Sequence, residues 1–457
     1  MTAETLMEGV MEIPGANAVW LDPVAVLNRG YSLYLVAYSQ YYSRAYFGNL
    51  NSSASAPSIG DGLAGSEGGT RKRKRKKTYT PNEKEVMAEL RHQESRSAIL
   101  KAHSLFLETR RPLISSKLNL ENIPCSRTET PPQISTHSIS GTSSTSLSEE
   151  AEVDFVRLSE LWQAPLYELN ILGNSSHSSN KTSCDLRCCE ETDTRQTPLF
   201  GCIVEHEEEE EVLAECAGCI FVVPSHCRFL ISDVSSIHKL IPERPVCGYN
   251  LILIDPPWEN KSVHRKSLYP TLPNRQLLSL PIQKLVHNEG ALLALWLTNR
   301  EKLHQFVEKE LFPAWGVELA ASWYWLKVNN SGEMISPLDL QHHKPYECLL
   351  LGYLPGEKQE AASKETVQKG AVSEKGNVSL NTPPNKFVIM SIPGDHSRKP
   401  PIGSLLSQYA PGPSPVNGLE LFARELTPGW TSWGNEPLRF QNLRYFDRRM
   451  EDEVGRS

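Results

Sequence analysis

No apolar run in this chain approaches ~18 residues, so no segment of the sequence is expected to span a membrane. The amino terminus lacks the basic-then-apolar order of a secretory signal, so the ten cysteines are expected to stay reduced, in the nucleus or cytoplasm. A second cysteine pair to match Cys216-Ala-Gly-Cys219 is missing, and Cys188 and Cys189 are adjacent, which suits tetrahedral chelation poorly. No metal site is therefore expected. No Gly-x-Gly turn follows the first apolar strand, which removes the usual support for a generic dinucleotide fold. The chain is not uniformly basic either: its net charge is −7 over 457 residues, so any nucleic-acid binding must rest on clustered Lys and Arg.

Composition is otherwise that of a folded protein, with 39% hydrophobic and 22% charged residues and room for a large core. Residues 1–48 form an aromatic-rich segment, including Tyr31, Tyr34, Tyr38, Tyr41 and Tyr42, read as a small element packed on another domain or as a base-stacking platform. Residues 49–79 read as a Ser/Gly linker carrying the run Arg71-Lys-Arg-Lys-Arg-Lys-Lys77, which suits nuclear import or phosphate binding. A helical segment is expected over 80–112 and a disordered linker over 113–150. The middle region, 151–219, has an amphipathic helix expected over 153–169, a cysteine-bearing loop, and an acidic run at 207–211 read as solvated. Strand and helix signals then alternate through a domain spanning 220–450, interrupted at 355–385 by a polar stretch read as a disordered insertion. That alternation predicts an α/β fold, a doubly wound, largely parallel Rossmann-like sheet with helices on both faces.

The most informative stretch is Asn250-Leu-Ile-Leu-Ile-Asp-Pro-Pro-Trp258. Its apolar run reads as a strand buried on both faces, and such a strand delivers its last residues to the carboxyl edge of the sheet, where these folds bind ligands. Pro256 and Pro257 stiffen the turn and contribute no N–H, leaving the Asp255 carboxylate and backbone carbonyls as acceptors beside the Trp258 indole. A planar aromatic amine matches that surface: Trp258 stacks on the ring while Asp255 and the Pro256 carbonyl take the amine hydrogens. The adenine amine is a poor nucleophile because its lone pair is shared with the ring, and two acceptors in a dry site favour its attack on an electrophilic methyl. The plain alternative is a surface turn, to which Pro-Pro is equally suited. Lys261, His264, Arg265, Lys266 and Arg275 follow, a basic loop suited to phosphates flanking a target nucleotide or simply to solvent.

Asp-Pro-Pro-Trp after an apolar strand resembles the MT-A70 family of adenosine N6-methyltransferases, over about residues 220–445. The resemblance implies S-adenosylmethionine as cofactor, and adenosine in RNA as substrate, notably 2′-O-methyladenosine in small nuclear RNA, with adenine in DNA as the alternative. It also implies that Asp233 and Val234 meet the cofactor adenine, although Asp233 equally suits a helix cap. Lys399, in His396-Ser-Arg-Lys-Pro400, matches the family lysine that reaches the cofactor carboxylate. Arg424, in Glu420-Leu-Phe-Ala-Arg424, matches the arginine at the ribose or carboxylate end, and Asn435 with Glu436 matches an Asn-Gln pair that binds the cofactor. Two departures stand out: Glu425-Leu-Thr427 replaces a polar His-Asn pair, and Glu436, which can accept but not donate, replaces glutamine. Rival readings are a non-catalytic RNA-binding scaffold, against which the presence of Asp255 weighs, and a protein-glutamine methyltransferase, whose turn is Asn-Pro-Pro-Tyr. The expected state is a monomer acting in the nucleus.

Overall fold

The computed structural model describes residues 9–42, 82–109, 154–160, 168–172, 187–188, 197–259, 272–340, 344–357 and 381–449. The basic run 71–77, the loop 260–271 and most of the insertion (358–380) lie outside them.

A twelve-stranded sheet forms the centre. Its spatial order runs Val10–Glu12, Ala18–Leu21, Phe387–Ser391, Glu318–Lys327, Tyr346–Leu354, Ala291–Leu297, Leu251–Ile254, Gly418–Leu421, Trp430–Gly434, Cys227–Ile231, Ile203–His206 and Arg187–Cys188. The five strands from Ala291–Leu297 to Cys227–Ile231 are mutually parallel. Leu251–Ile254 lies in their midst with every residue buried, as its unbroken apolar run predicts. One core packs on one face, with Ile252, Ile254, Leu293 and Leu295; a second, with Leu253, Trp296, Trp323 and Trp325, packs on the other. The fold is the doubly covered α/β sheet expected.

Tyr346–Leu354 runs antiparallel between Ala291–Leu297 and Glu318–Lys327. Because of that reversal, its first residues sit at the edge where the parallel strands end. Trp323 and Trp325 share one face and are buried, as strand alternation requires.

The helix expected over 80–112 spans Glu83–Thr109. Its buried positions are His92, Ser95, Ile99, Ala102 and Phe106, a 3-4-3-4 spacing that marks one face. Val86 and Leu90 are exposed, and polar His92 and Ser95 take the inner positions at that end because Tyr346 supplies their partner: its hydroxyl is 2.9 Å from His92 Nδ1 and accepts from Ser95 Oγ at 3.2 Å. Lower down, Phe106 stacks on Trp20 at 5.2 Å.

Several sequence boundaries shift. Over 274–288 there are only a 3-10 turn, Asn274–Ser279, and a short helix, Ile282–Leu285, because Pro281 between them cannot continue the hydrogen-bond ladder. Over 300–311 the helix Glu301–Phe306 passes into a π turn at Val307–Leu311. The helix expected over 153–169 is described at Phe155–Glu160, while Glu168–Leu172 is a strand of a separate four-stranded sheet.

The aromatic segment packs on the main domain, as one of its two readings has it, and its buried tyrosines do not form a stacking platform. Ala18–Leu21 extends the main sheet beside Phe387–Ser391, Tyr34–Val36 pairs with Phe446–Arg448, and Tyr31, Tyr34, Tyr41 and Tyr42 are buried. The acidic run contributes to this attachment. Glu207 to Glu210 are exposed as expected, but Glu211 is buried and accepts from the backbone N–H and hydroxyl of Ser32 and from the Leu33 N–H. Three donors from a distant segment thus compensate its desolvation.

Cys216 and Cys219 face each other across a hairpin turn whose central residues, Ala217 and Gly218, have φ of 51° and 76°. Among the described residues no three His, Cys, Asp or Glu are grouped to hold a metal, and no helix is long and apolar enough to cross a membrane.

Candidate active site

Asp255 emerges where Leu251–Ile254 ends, and its backbone N–H donates to the Leu421 carbonyl at 3.3 Å. The turn is then held internally, with the Trp258 N–H donating to the Pro256 carbonyl at 2.8 Å and Leu272 N–H to the Pro257 carbonyl at 3.2 Å. The Pro256 oxygen, expected to take an amine hydrogen, thus already accepts one bond and keeps one lone pair.

Trp258 differs from expectation. It is 8% exposed, belongs to the main core, and donates its indole N–H to the Trp296 carbonyl at 3.0 Å. An indole so enclosed anchors the turn from beneath and leaves too little surface for a base to lie on. The sequence shows the indole beside the acceptors of the turn, but not the Trp296 carbonyl that takes its N–H.

Around the Asp255 carboxylate the sheet edge gathers alternating charges. Lys399 Nζ lies 3.3 Å from Asp255 and 3.1 Å from Glu347, and Arg424 lies 3.9 Å from the other Asp255 oxygen. Glu347 also binds Lys327. Burial opposes the charge on Glu347, but Lys399 and Lys327 outweigh it and hold its carboxyl down at about 2. Burial likewise opposes the charge on Lys399, and Asp255 with Glu347 more than offset it, raising its ammonium above the ordinary value. The neighbouring Glu420 behaves oppositely. Burial, then the negative charges of Glu425 and Asp255, push its carboxyl up to about 8 against the pull of Arg424. Asp255, Lys399, Glu420 and Arg424 line one cleft together with Leu253, Pro400 and Pro401.

Residues 249–436 match the model of the MT-A70 family. The chain is 42% identical over 252 residues to the mouse N(6)-adenine-specific methyltransferase METTL4, covering 54% of this chain and 50% of that protein. It is 37% identical over 205 residues to the N6-methyladenosine RNA methyltransferase MTA1 of Pyricularia oryzae, covering 42% and 48%. It is also 32% identical over 241 residues to a DNA N6-methyl methyltransferase of Caenorhabditis elegans, covering 52% and 59%. The chain spans about half the length of the curated relatives it matches.

MT-A70 methyltransferases depend on S-adenosylmethionine, and the donor set here fits that molecule. Two cations, Lys399 and Arg424, with side chains 16% and 23% exposed, stand at the cleft beside Asp255, which suits a ligand carboxylate. Asp233 and Asn435 follow adjacent strands, which the Ser232 N–H to Gly434 carbonyl bond of 3.1 Å keeps together, and both are exposed. Asp233 also caps the next turn, its carboxylate accepting from the Ser235 N–H at 3.0 Å. Val234 is half-buried beside it, and Glu436 accepts from Arg439 at 2.8 Å. The expected substrate loop Lys261, His264, Arg265 and Lys266 lies outside the described residues.

Sequence reasoning missed Glu347, Lys327 and Arg398. A signal existed for the first: Glu347 is the lone charge in the otherwise apolar strand Tyr346–Leu354. Nothing local marks the other two.

Proposed function

We propose that this protein methylates the exocyclic N6 of adenosine in RNA, with 2′-O-methyladenosine of small nuclear RNA as its substrate. The observation that carries the reading is one cleft at the carboxyl edge of the sheet that joins Asp255 to Lys399 and Arg424.

Each residue of the chain has a definite task. Asp255, oriented by two cations and 18% exposed, offers an acceptor for one amine hydrogen. The Pro256 carbonyl retains a lone pair for the other. Together they draw the amine away from conjugation with the ring and toward a nucleophilic geometry. Trp258 fixes the height of the turn through its bond to Trp296. Lys399, Arg424 and Asn435 hold the cofactor, with Asp233, Val234 and Glu436 at its nucleoside end. S-adenosylmethionine supplies the electrophilic methyl group when bound. The aromatic segment covers the sheet flank beside Phe387–Ser391, which supports action as a monomer. The run Arg71 to Lys77 supports a nuclear site of action.

The relatives' names divide between RNA and DNA. A matched panel separates them: one oligonucleotide sequence as RNA, as RNA with a single 2′-O-methyladenosine, and as DNA, scored by mass spectrometry of the released nucleosides. N6,2′-O-dimethyladenosine formed from the second, well above the other products, is the expected result. Product from DNA alone would replace RNA as the substrate. No product from any of them, with cofactor binding intact, would favour a non-catalytic scaffold.

A further inference from the structure

Lys399 stands at Asp255 at the end of a turn, and that turn also rests on residues of the amino-terminal segment. Arg398 and Lys399 both line the cleft, but the Arg398 guanidinium is nearly buried against Glu425 while the Lys399 ammonium lies beside Asp255. Arg398 is 3% exposed, its Nε donates to Glu425 at 3.0 Å, and a second guanidinium nitrogen donates to the other carboxylate oxygen. Such a two-point bond compensates a buried cation only when the surroundings complete its solvation. Two aromatic rings do so: the guanidinium carbon lies 4.3 Å from the Tyr41 ring centroid and 4.5 Å from that of Phe440.

Tyr41 comes from the amino-terminal segment. It is 1% exposed, and its hydroxyl has no hydrogen-bond partner among the described residues, so the ring alone makes the contact. The next residue, Tyr42, forms an antiparallel bridge with Gly394 at the start of the turn. Gly394 is closely packed there: a Cβ would stand 3.0 Å from Tyr41 Cε1 and 3.1 Å from Arg398 Cβ, so either neighbour would have to give. On the cleft side Arg424 donates to the Ser397 carbonyl at 3.0 Å. The turn is therefore gripped from both sides, from behind by Tyr41 and in front by Arg424.

We propose that Tyr41 is a positioning residue for cofactor binding, acting through Arg398 to aim Lys399 into the cleft. The segment 9–42 is on this account a working part of the cofactor site. The inference rests on the methyltransferase reading above.

The test uses the full chain with Tyr41→Phe, Tyr41→Leu and Arg398→Lys. Affinity for S-adenosylhomocysteine is measured by calorimetry, KM and kcat for methyl transfer are measured in parallel, and thermal unfolding reports the folded fraction. Tyr41→Phe keeps the ring and should bind within about 2-fold of the wild type. Tyr41→Leu should weaken binding about 5- to 30-fold, the size of a desolvated cation–ring contact, with the loss in KM for the cofactor rather than in kcat. Arg398→Lys keeps the charge but not the planar fork and should weaken binding similarly, so it carries the test should Tyr41→Leu fail to fold. Wild-type affinity in folded Tyr41→Leu or Arg398→Lys would overturn the proposal, as would equal losses in Tyr41→Phe and Tyr41→Leu. Absence of binding by the wild type would overturn the methyltransferase reading itself.

Discussion

Lys399 Nζ stands 3.3 Å from the carboxylate of Asp255, so the residue expected to hold the cofactor is also the nearest cation to the residue expected to hold the substrate amine. Asp255 follows the motif strand directly, whereas Lys399 follows Phe387–Ser391, with three strands of the sheet between the two. Their meeting joins the two halves of the proposed reaction within one ion pair, and the consequences can be measured.

Asp255→Asn keeps the shape of the side chain and replaces one acceptor oxygen with a donor. Methyl transfer should fall by on the order of 10²-fold or more, while S-adenosylhomocysteine still binds. Tritiated methyl incorporation into RNA, with calorimetry alongside, checks both halves. Retained transfer would retire the role given to Asp255.

Glu347 gives an acid-side signature. Its folded value of about 2 lies below the ordinary 4.5, so the unfolded chain binds the proton more readily. The stability it contributes is present above pH ~4.5 and is lost as pH falls toward 2. Chemical denaturation of Glu347→Gln across that window should show a shallower loss than the wild type.

Glu420 gives the opposite sign. Its folded value of about 8 lies above 4.5, so the folded chain holds the proton more tightly and the group's contribution declines as pH rises from ~4.5 to 8. Glu420→Gln should remove that decline and be relatively more stable at pH 8 than at pH 5. An unchanged pH profile of unfolding would contradict the neutral carboxyl.

Trp258→Phe fills most of the indole's space but leaves the Trp296 carbonyl without its donor. A loss of about 1–3 kcal/mol in unfolding free energy is expected from one orphaned buried acceptor. Were Trp258 chiefly a stacking surface, phenylalanine would leave stability unchanged and alter only the KM for RNA.

The legible parts of the fold were those with a local signature. The apolar runs at 251–254 and 291–297 became buried strands because nothing but the interior of a sheet accommodates them. The helix at 83–109 was readable from Pro81 near its start and its many charges, but not its inner face, because His92 and Ser95 are inward where Tyr346 supplies their partner. Glu211 was misread with its four neighbours because a run of like charges looks uniform until a distant donor selects one member. Trp258 was placed correctly along the chain and wrongly in depth.

The chain alone determined a stiff corner after a buried strand, with a carboxylate at its tip, since prolines and their immediate neighbours dictate that conformation whatever surrounds them. Only the tertiary structure decided what faces the carboxylate. An antiparallel strand brings Glu347 to the edge, and the short amino-terminal helix Tyr38–Tyr41 sets the Tyr41 ring against Arg398. Those pairings are made between segments remote in sequence, through contacts that neither periodicity nor composition records, and their energy exists only once the sheet has closed around them.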